Sequence, residues 1–377
     1  MWVTTRRECT RSSVARCQNE PMRVVVATDR IGDLSSADVG AALATGWQNV
    51  APRTELAVVP MGESGGGFAQ ASADLMAVEP TLLAVEDAEV TGVINVAADR
   101  STLVISAAGR PPSRWIPEGS SAELGRVIAR AVRQHDPRRL VIDVGGMGCH
   151  DAGAGLLHGL GARADAPLDA GAGTLEAVTD VDLAPVRLLL QNVHQITVVV
   201  PAAEAAIPLL GLRGITSRRG SEHGIDPSTM LATDAALERF VGAVAPEAGA
   251  LPGAGACGVA YALMALGAEL VTGPAWCAER VDLGTTLSMA DVVLTGAEMF
   301  DFASRGGDVV QYLAEVNAEK MRPCIAAAST VLIGAREMRS MGIEGAYSIS
   351  QDGPPGPVAV QDLVRLGQRI ARTWDRD

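Results

Sequence analysis

Three times in this chain an aliphatic, mostly β-branched run breaks into glycines and then into a stretch with helical spacing. The segments are "LAVVPMGESGGGFAQASADL" (56–75), "RLVIDVGGMGCHDAGAGLLHGLG" (139–161) and "DVVLTGAEMFDFASRGGDVVQYL" (291–313). A continuous run of this kind is the pattern of a strand covered on both faces, as in a parallel sheet. A glycine loop at the carboxyl end of such a strand, leading into a helix, is the βα half of a crossover unit. The repeat of this device restricts the fold to the α/β class.

The other segments fit that frame. "MRVVVATD" (22–29) predicts a first buried strand, and "SSADVGAALATGWQNV" (35–50) a helix capped by Ser35 or Ser36. "TELAVVPM" (54–61) predicts the next strand, followed by a glycine loop and helix over 62–77. Short alternating segments with turn signals over 82–109 predict antiparallel strands instead. Helices are predicted over 121–135, 228–244, 307–320 and 360–374, and strands over 139–146, 196–202, 290–301 and 323–330. The resulting expectation is two α/β domains. Residues 22–80 with 245–377 form a Rossmann-like parallel domain, and 81–244 an inserted second one. Residues 1–21 are polar and Arg-rich without an apolar core, and read as a disordered or over-annotated extension.

Composition removes several function classes. The chain has 377 residues, long enough for two cores, and its mean hydropathy is +0.20. A net charge of −13 argues against nucleic acid and anionic membranes as partners. The uncharged run 248–268 opens with four glycines and Pro252, which predicts a loop feeding a buried helix rather than a membrane span. Six scattered cysteines show neither a C-x-x-C pair nor zinc-ligand spacing, and suit reduced thiols in a cytoplasmic protein. Lys320 is the only lysine, so any site that needs a lysine has one candidate.

Five glycine-bearing segments, taken in order, resemble the type I glycerate kinase family. They are "VVVATD…LSSADVGAALATGW", "VVPMGESGGGF", "GGMGCHDAGAGLLHGLGA", "LPGAGACGVAYALMALGAELVTG" and "DVVLTGAEMFD". The resemblance spans about 22–370. It implies a two-domain type I glycerate kinase-like fold. It also implies a small hydroxy acid and a nucleotide as ligands, and ATP and Mg²⁺ as the reaction's cofactors. Carried over residue by residue, it nominates Asp29, Arg30 and Asp151 as catalytic and Glu63 as the metal-side carboxylate. Gly145, Gly146, Gly253, Gly255, Thr295, Gly296 and Asp301 become the cofactor-binding set.

The departures are as informative as the matches. Loop-shaping glycines are kept, while Met147, Cys149 and His150 replace the serine, threonine and asparagine of the family's third loop. Gly32, His223 and Asp308 stand at three lysine positions, and Glu204 at an aspartate. Phosphoryl transfer depends on positioned cations, and removing one can cost about 10³–10⁵ in rate. Arg30, Arg219 and Arg305 lie close in sequence to the lost lysines and are candidate replacements. Three functions follow: a kinase with weak or altered activity, an inactive homologue that binds a ligand or regulates a partner, or a different enzyme on the same scaffold using Glu63, His150 and Asp151.

Each candidate also has a plainer reading. Asp29 and Asp301 could simply close turns, Asp151 could cap the helix starting near 153, and 252–258 could only pack loop against helix. His150 reads first as a surface or capping histidine and Cys149 as a small buried thiol. The 143–155 loop is expected to leave helix N–H groups unpaired, but to hold an anion weakly for lack of side-chain donors.

Overall fold

The structure is a computed structural model, and it describes residues 21–85, 91–108, 118–349 and 357–375. The extension read at 1–21, with Cys9 and Cys17, lies almost wholly outside the described residues. The chain divides into two compact units: residues up to Gly62 with those from Cys277 onward, and Glu63–Trp276. The sequence reading sets its boundaries near 80 and 245; the contacts group the helix after the second strand, and everything up to Trp276, with the larger unit.

Along the chain, β1 (Arg23–Thr28) and β2 (Glu55–Pro60) come first, then β3 (Thr81–Ala84), β4 (Thr91–Val96), β5 (Thr102–Ala108) and β6 (Arg139–Asp143). A small antiparallel ladder joins β7 (Arg163–Ala164) to β8 (Val181–Asp182). β9 (Gln195–Val200) and β10 (Glu269–Thr272) follow, then β11 (Val292–Asp301), β12 (Cys324–Leu332) and β13 (Gly345–Ser348).

The smaller unit is a five-stranded sheet of order β13-β12-β11-β1-β2, parallel throughout. The order reverses at the β1/β11 pair, which makes the carboxyl ends of those two strands the topological switch point. Helix α1 (Ser36–Gln48) is started as its sequence predicts: the Ser35 hydroxyl accepts from Asp38 N at 3.1 Å. Its Val39, Leu43 and Trp47 pack with Val24, Val26, Leu294 and Ile325, and with Leu363, Leu366 and Ile370 of the last helix, Val360–Trp374. All are buried, and each aliphatic side chain so placed contributes about 1.5–3 kcal/mol.

The larger unit is a six-stranded sheet of order β10-β9-β6-β5-β4-β3. Its β3–β4 and β4–β5 pairs are antiparallel, as the alternating pattern of 82–109 predicts, and its other pairs are parallel. Helix α2 (Phe68–Met76) leads into it, α3 (Ala122–His135) covers the sheet, and α4 (Ala154–Leu160) follows β6. The uncharged run near 248–268 becomes a turn and the six-residue helix Ala260–Ala265. Among the described residues, no helix is long and apolar enough to cross a membrane.

Candidate functional site

In the larger unit the glycine loops after β2 and β6 lie backbone to backbone. A Cβ on Gly65 would stand 2.6 Å from the Gly145 carbonyl carbon and 2.9 Å from Gly146 N, so only glycine permits the approach. Asp143, the last residue of β6, stitches the two loops together. It accepts from Ser64 Oγ at 2.6 Å, from Gly65 N at 3.1 Å and from Gly145 N at 3.1 Å. Burial pushes its carboxyl up from the ordinary range, against the pull of these donors.

Asp151 is wholly buried and does a similar task two turns on. Its Oδ1 accepts from Gly153 N at 2.9 Å, and its Oδ2 from Ser121 N at 2.8 Å and Gly155 N at 3.1 Å. Ser121 Oγ bonds the same carboxylate and also accepts from Leu156 N at 2.8 Å. The first N–H groups of α4 are therefore taken by the chain's own carboxylate and hydroxyl. The expectation that they stay unpaired is corrected: a buried Asp occupies the place an anion would take. What remains open in this loop is Gly146–Gly148, where Gly146 is exposed with a φ of +75° and clear space around it. In the neighbouring loop Gly65 and Gly66 are exposed as well, while the half-buried Glu63 lends its carbonyl to Gly66 N and Phe68 N, both at 3.1 Å.

His150 is fully buried, which corrects its reading as a surface or capping residue. Its Nε2 meets Thr216 Oγ1 at 2.8 Å, and the Gly258 turn packs over it so closely that a Cβ there would lie 3.1 Å from Nδ1. Burial, aided by Arg219, lowers its pKa to about 3, so the ring is neutral. Cys149 and Cys257 are buried thiols pushed well above the ordinary value by the same desolvation, which leaves no reactive thiolate.

Arg219 reaches this region with its guanidinium already committed. Nη2 bonds both Glu204 oxygens, at 2.8 and 3.0 Å, and Nη1 donates to Met147 O at 3.3 Å. Glu204 also accepts from Cys257 N at 2.6 Å. One ion pair thus ties the 143–155 loop, the turn at Ala202–Glu204, the helix Ile215–Glu222 and the 252–258 loop together. Gly253 and Gly255 belong to the packed side of that last loop, against the backbone of Ala205 and Pro208 respectively.

In the smaller unit the candidates gather at the switch point. Asp29 directly follows β1, its N–H donates to Gly296 O at 3.1 Å, and its Oδ1 accepts from Arg30 N at 2.8 Å. Arg30 is exposed, with Nη2 on Gly32 O at 3.0 Å, and Gly32 N donates to the Glu298 carboxylate. Thr295 and Gly296 sit inside β11, which runs on through Asp301 as the strand predicted over 290–301 does. Thr295 pairs in register with Ala326 and is buried. Asp301 closes the turn after the strand: its Oδ1 accepts from Ser304 N at 2.6 Å and Ser304 Oγ at 2.7 Å, which holds its carboxyl below the usual range. Arg305 is exposed in a left-handed conformation, φ +53°. Among the described residues, no three His, Cys, Asp or Glu side chains cluster for a metal. Mg²⁺ commonly needs only one or two carboxylates beside substrate phosphates, so Glu63 remains the donor to test.

The model of the Glycerate kinase family matches residues 24–375. The chain belongs to the glycerate kinase family. It is 30% identical over 386 residues to an uncharacterised protein of Mycobacterium bovis, with 94% of this chain and 92% of that one covered. It is 25% identical over 354 residues to the glycerate 2-kinase of Escherichia coli K12, covering 87% and 90% respectively. A crystal structure assigned as glycerate kinase 2 from Salmonella typhimurium LT2 shares the fold, with a TM-score of 0.76 at 23% identity over 94% of this chain and 98% of that chain.

Within this family frame, the structure brings Asp29, Arg30, Gly296 and Asp301 to one end of one sheet, and Gly145, Gly146 and Asp151 to one loop of the other. Sequence reasoning missed Asp143, Ser64 and Ser121. For Asp143 a signal was present: a carboxylate closing a β-branched run directly before a Gly pair has backbone N–H groups within reach.

Proposed function

We propose that this chain is an ATP-dependent phosphotransferase acting on glycerate or a related small hydroxy acid, with weakened turnover. The observation that carries the reading is Asp29 with Arg30 at the β1/β11 switch point of a sheet whose family uses ATP to phosphorylate a hydroxyl. Asp29 is the group proposed to take the acceptor's proton, and the exposed Arg30 the cation that steadies phosphoryl oxygens. In the larger unit, the open glycine backbone at Gly146–Gly148 is proposed to meet nucleotide phosphates, with Glu63 as the Mg²⁺-side carboxylate. The metal would supply charge neutralisation on the phosphates. The four described cysteines are unpaired thiols, which supports a reducing, cytoplasmic setting.

A second reading has its own observation. Asp151 and Arg219 are both consumed by internal contacts, which favours a homologue that binds nucleotide or acid without transferring phosphate. One experiment separates the two: calorimetric titration of MgATP and of glycerate beside a coupled ADP-release assay. Glycerate-dependent ADP release supports the kinase. Nucleotide binding with no release under any small hydroxy acid supports the inactive homologue and sinks the kinase reading.

A further inference from the structure

Helix α3 turns a row of arginines outward. Arg126, Arg130 and Arg133 stand at i, i+4 and i+7 and, with Gln134 and Gly159, line a cavity of 520 Å³. Among the described residues no Asp or Glu lines it. Arg126 and Glu123 stand 3.9 Å apart, beyond hydrogen-bond reach. Among the described residues, Arg130 is held by Nη1 to Ala84 O at 2.7 Å, which fixes the guanidinium with most of its five N–H donors turned to other acceptors.

Two ordinary explanations account for only part of this. Cations complement the negative end of a helix dipole, but only Arg133 of the three lies in the last turn of α3. A generally basic surface would scatter arginines, but this chain carries a net charge of −13. Three like charges on one face of an acidic protein repel one another, and an anion between them relieves that repulsion. From Arg126 to Arg133 the helix rises about 10 Å, more than a single phosphate spans. Planar guanidinia are suited to bidentate contact with phosphate oxygens.

We propose that this face of α3 binds a diphosphate group, free or carried on a small organic molecule. The site is separate from the glycine loops: Arg130 lies about 13 Å along the helix from Ser121, which holds Asp151.

The test uses the full chain and inorganic pyrophosphate, titrated calorimetrically at low salt, with ADP as a second probe. Each of Arg126→Gln, Arg130→Gln and Arg133→Gln should weaken pyrophosphate binding about tenfold, and the triple variant should abolish it. Arg163→Gln, an exposed arginine outside the cavity, makes the same charge change and should leave the affinity intact. If the triple variant loses one equivalent of ADP from the binding stoichiometry as well, the diphosphate is read on a nucleotide; if it loses pyrophosphate with the ADP stoichiometry unchanged, the free anion is the ligand. No pyrophosphate binding by the wild type, unchanged binding by the triple variant, or an equal loss in Arg163→Gln would overturn the proposal.

Discussion

The two units handle charge in opposite ways. In the larger one, Asp143, Asp151, Glu204 and Arg219 point into the fold and bond backbone groups of the glycine loops or each other. In the smaller one, Arg30, Glu298 and Arg305 stand exposed at the carboxyl end of the sheet. The same glycine scaffold therefore carries two different side-chain economies. A loop can keep the backbone path of an anion site while a carboxylate of the chain itself satisfies the donors. Loop shape and loop chemistry are separable, and motif glycines report mainly the first.

The sharpest way to break this comparison is at Asp151. Asp151→Ala removes the acceptor of Ser121 N, Gly153 N and Gly155 N in a fully buried position. A loss of about 3–5 kcal/mol is expected in urea unfolding, since several buried donors are left unpaired. Stability within about 1 kcal/mol of wild type, together with lost ligand binding, would reverse the assignment and make Asp151 a site residue.

Glu204 is the next test. Glu204→Leu strands Arg219, whose side chain is only 14% exposed, and should cost about 3 kcal/mol. Adding Arg219→Met should recover much of that loss, because replacing both partners removes the unpaired charge. If the double variant is no more stable than Glu204→Leu, the pair is not what joins these loops.

How much of this was legible in the sequence follows from the physics of each signal. β-branched runs and glycine breaks report strands and turns locally, so β1, β2, β6, β9, β11 and β12 fall where their patterns predict. The antiparallel β3–β5 segment is equally plain from its alternation. β10 and β13 were not legible, being four-residue edge strands with little pattern of their own. At the site, the sequence locates Asp29 and Arg30 at the end of the first strand, because a buried run has a definite end. It could not tell whether Asp151 points at a ligand or at its own backbone. That depends on Ser121, thirty residues away, coming within hydrogen-bond reach. Nor could periodicity show that His150 is buried, because the cover comes from Thr216 and Gly258.

That buried histidine offers a pH test of the same inward packing. Its folded pKa is lowered from 6.5 to about 3, so the unfolded chain takes up a proton that the folded chain refuses. Stability contributed by neutral His150 is full above pH 6.5 and is lost as pH falls toward 3. Between pH 6 and pH 5 the loss should approach about 1 kcal/mol. His150→Asn should flatten the slope of unfolding free energy against pH in that window. An unchanged slope would mean that the ring is protonated or solvated in the folded state.

The smallest effect on stability is expected at the rim of the smaller unit. Arg30 is exposed, and its guanidinium donates to Gly32 O. Arg30→Ala should therefore change urea unfolding by no more than about 0.5 kcal/mol. Its effect on chemistry should be of another order: if Arg30 is the cation that replaces a lost lysine, glycerate-dependent ADP release should fall by about 10³-fold or more. Arg30→Lys should recover part of that rate, because it restores charge without the planar fork. Arg53→Ala, at an equally exposed position on the same unit, is the control and should leave turnover near wild type. A stability loss at Arg30 as large as that at Asp151 would erase the difference between the units. Equal turnover losses at Arg30 and Arg53 would show that general charge, rather than a placed guanidinium at the switch point, sets the rate.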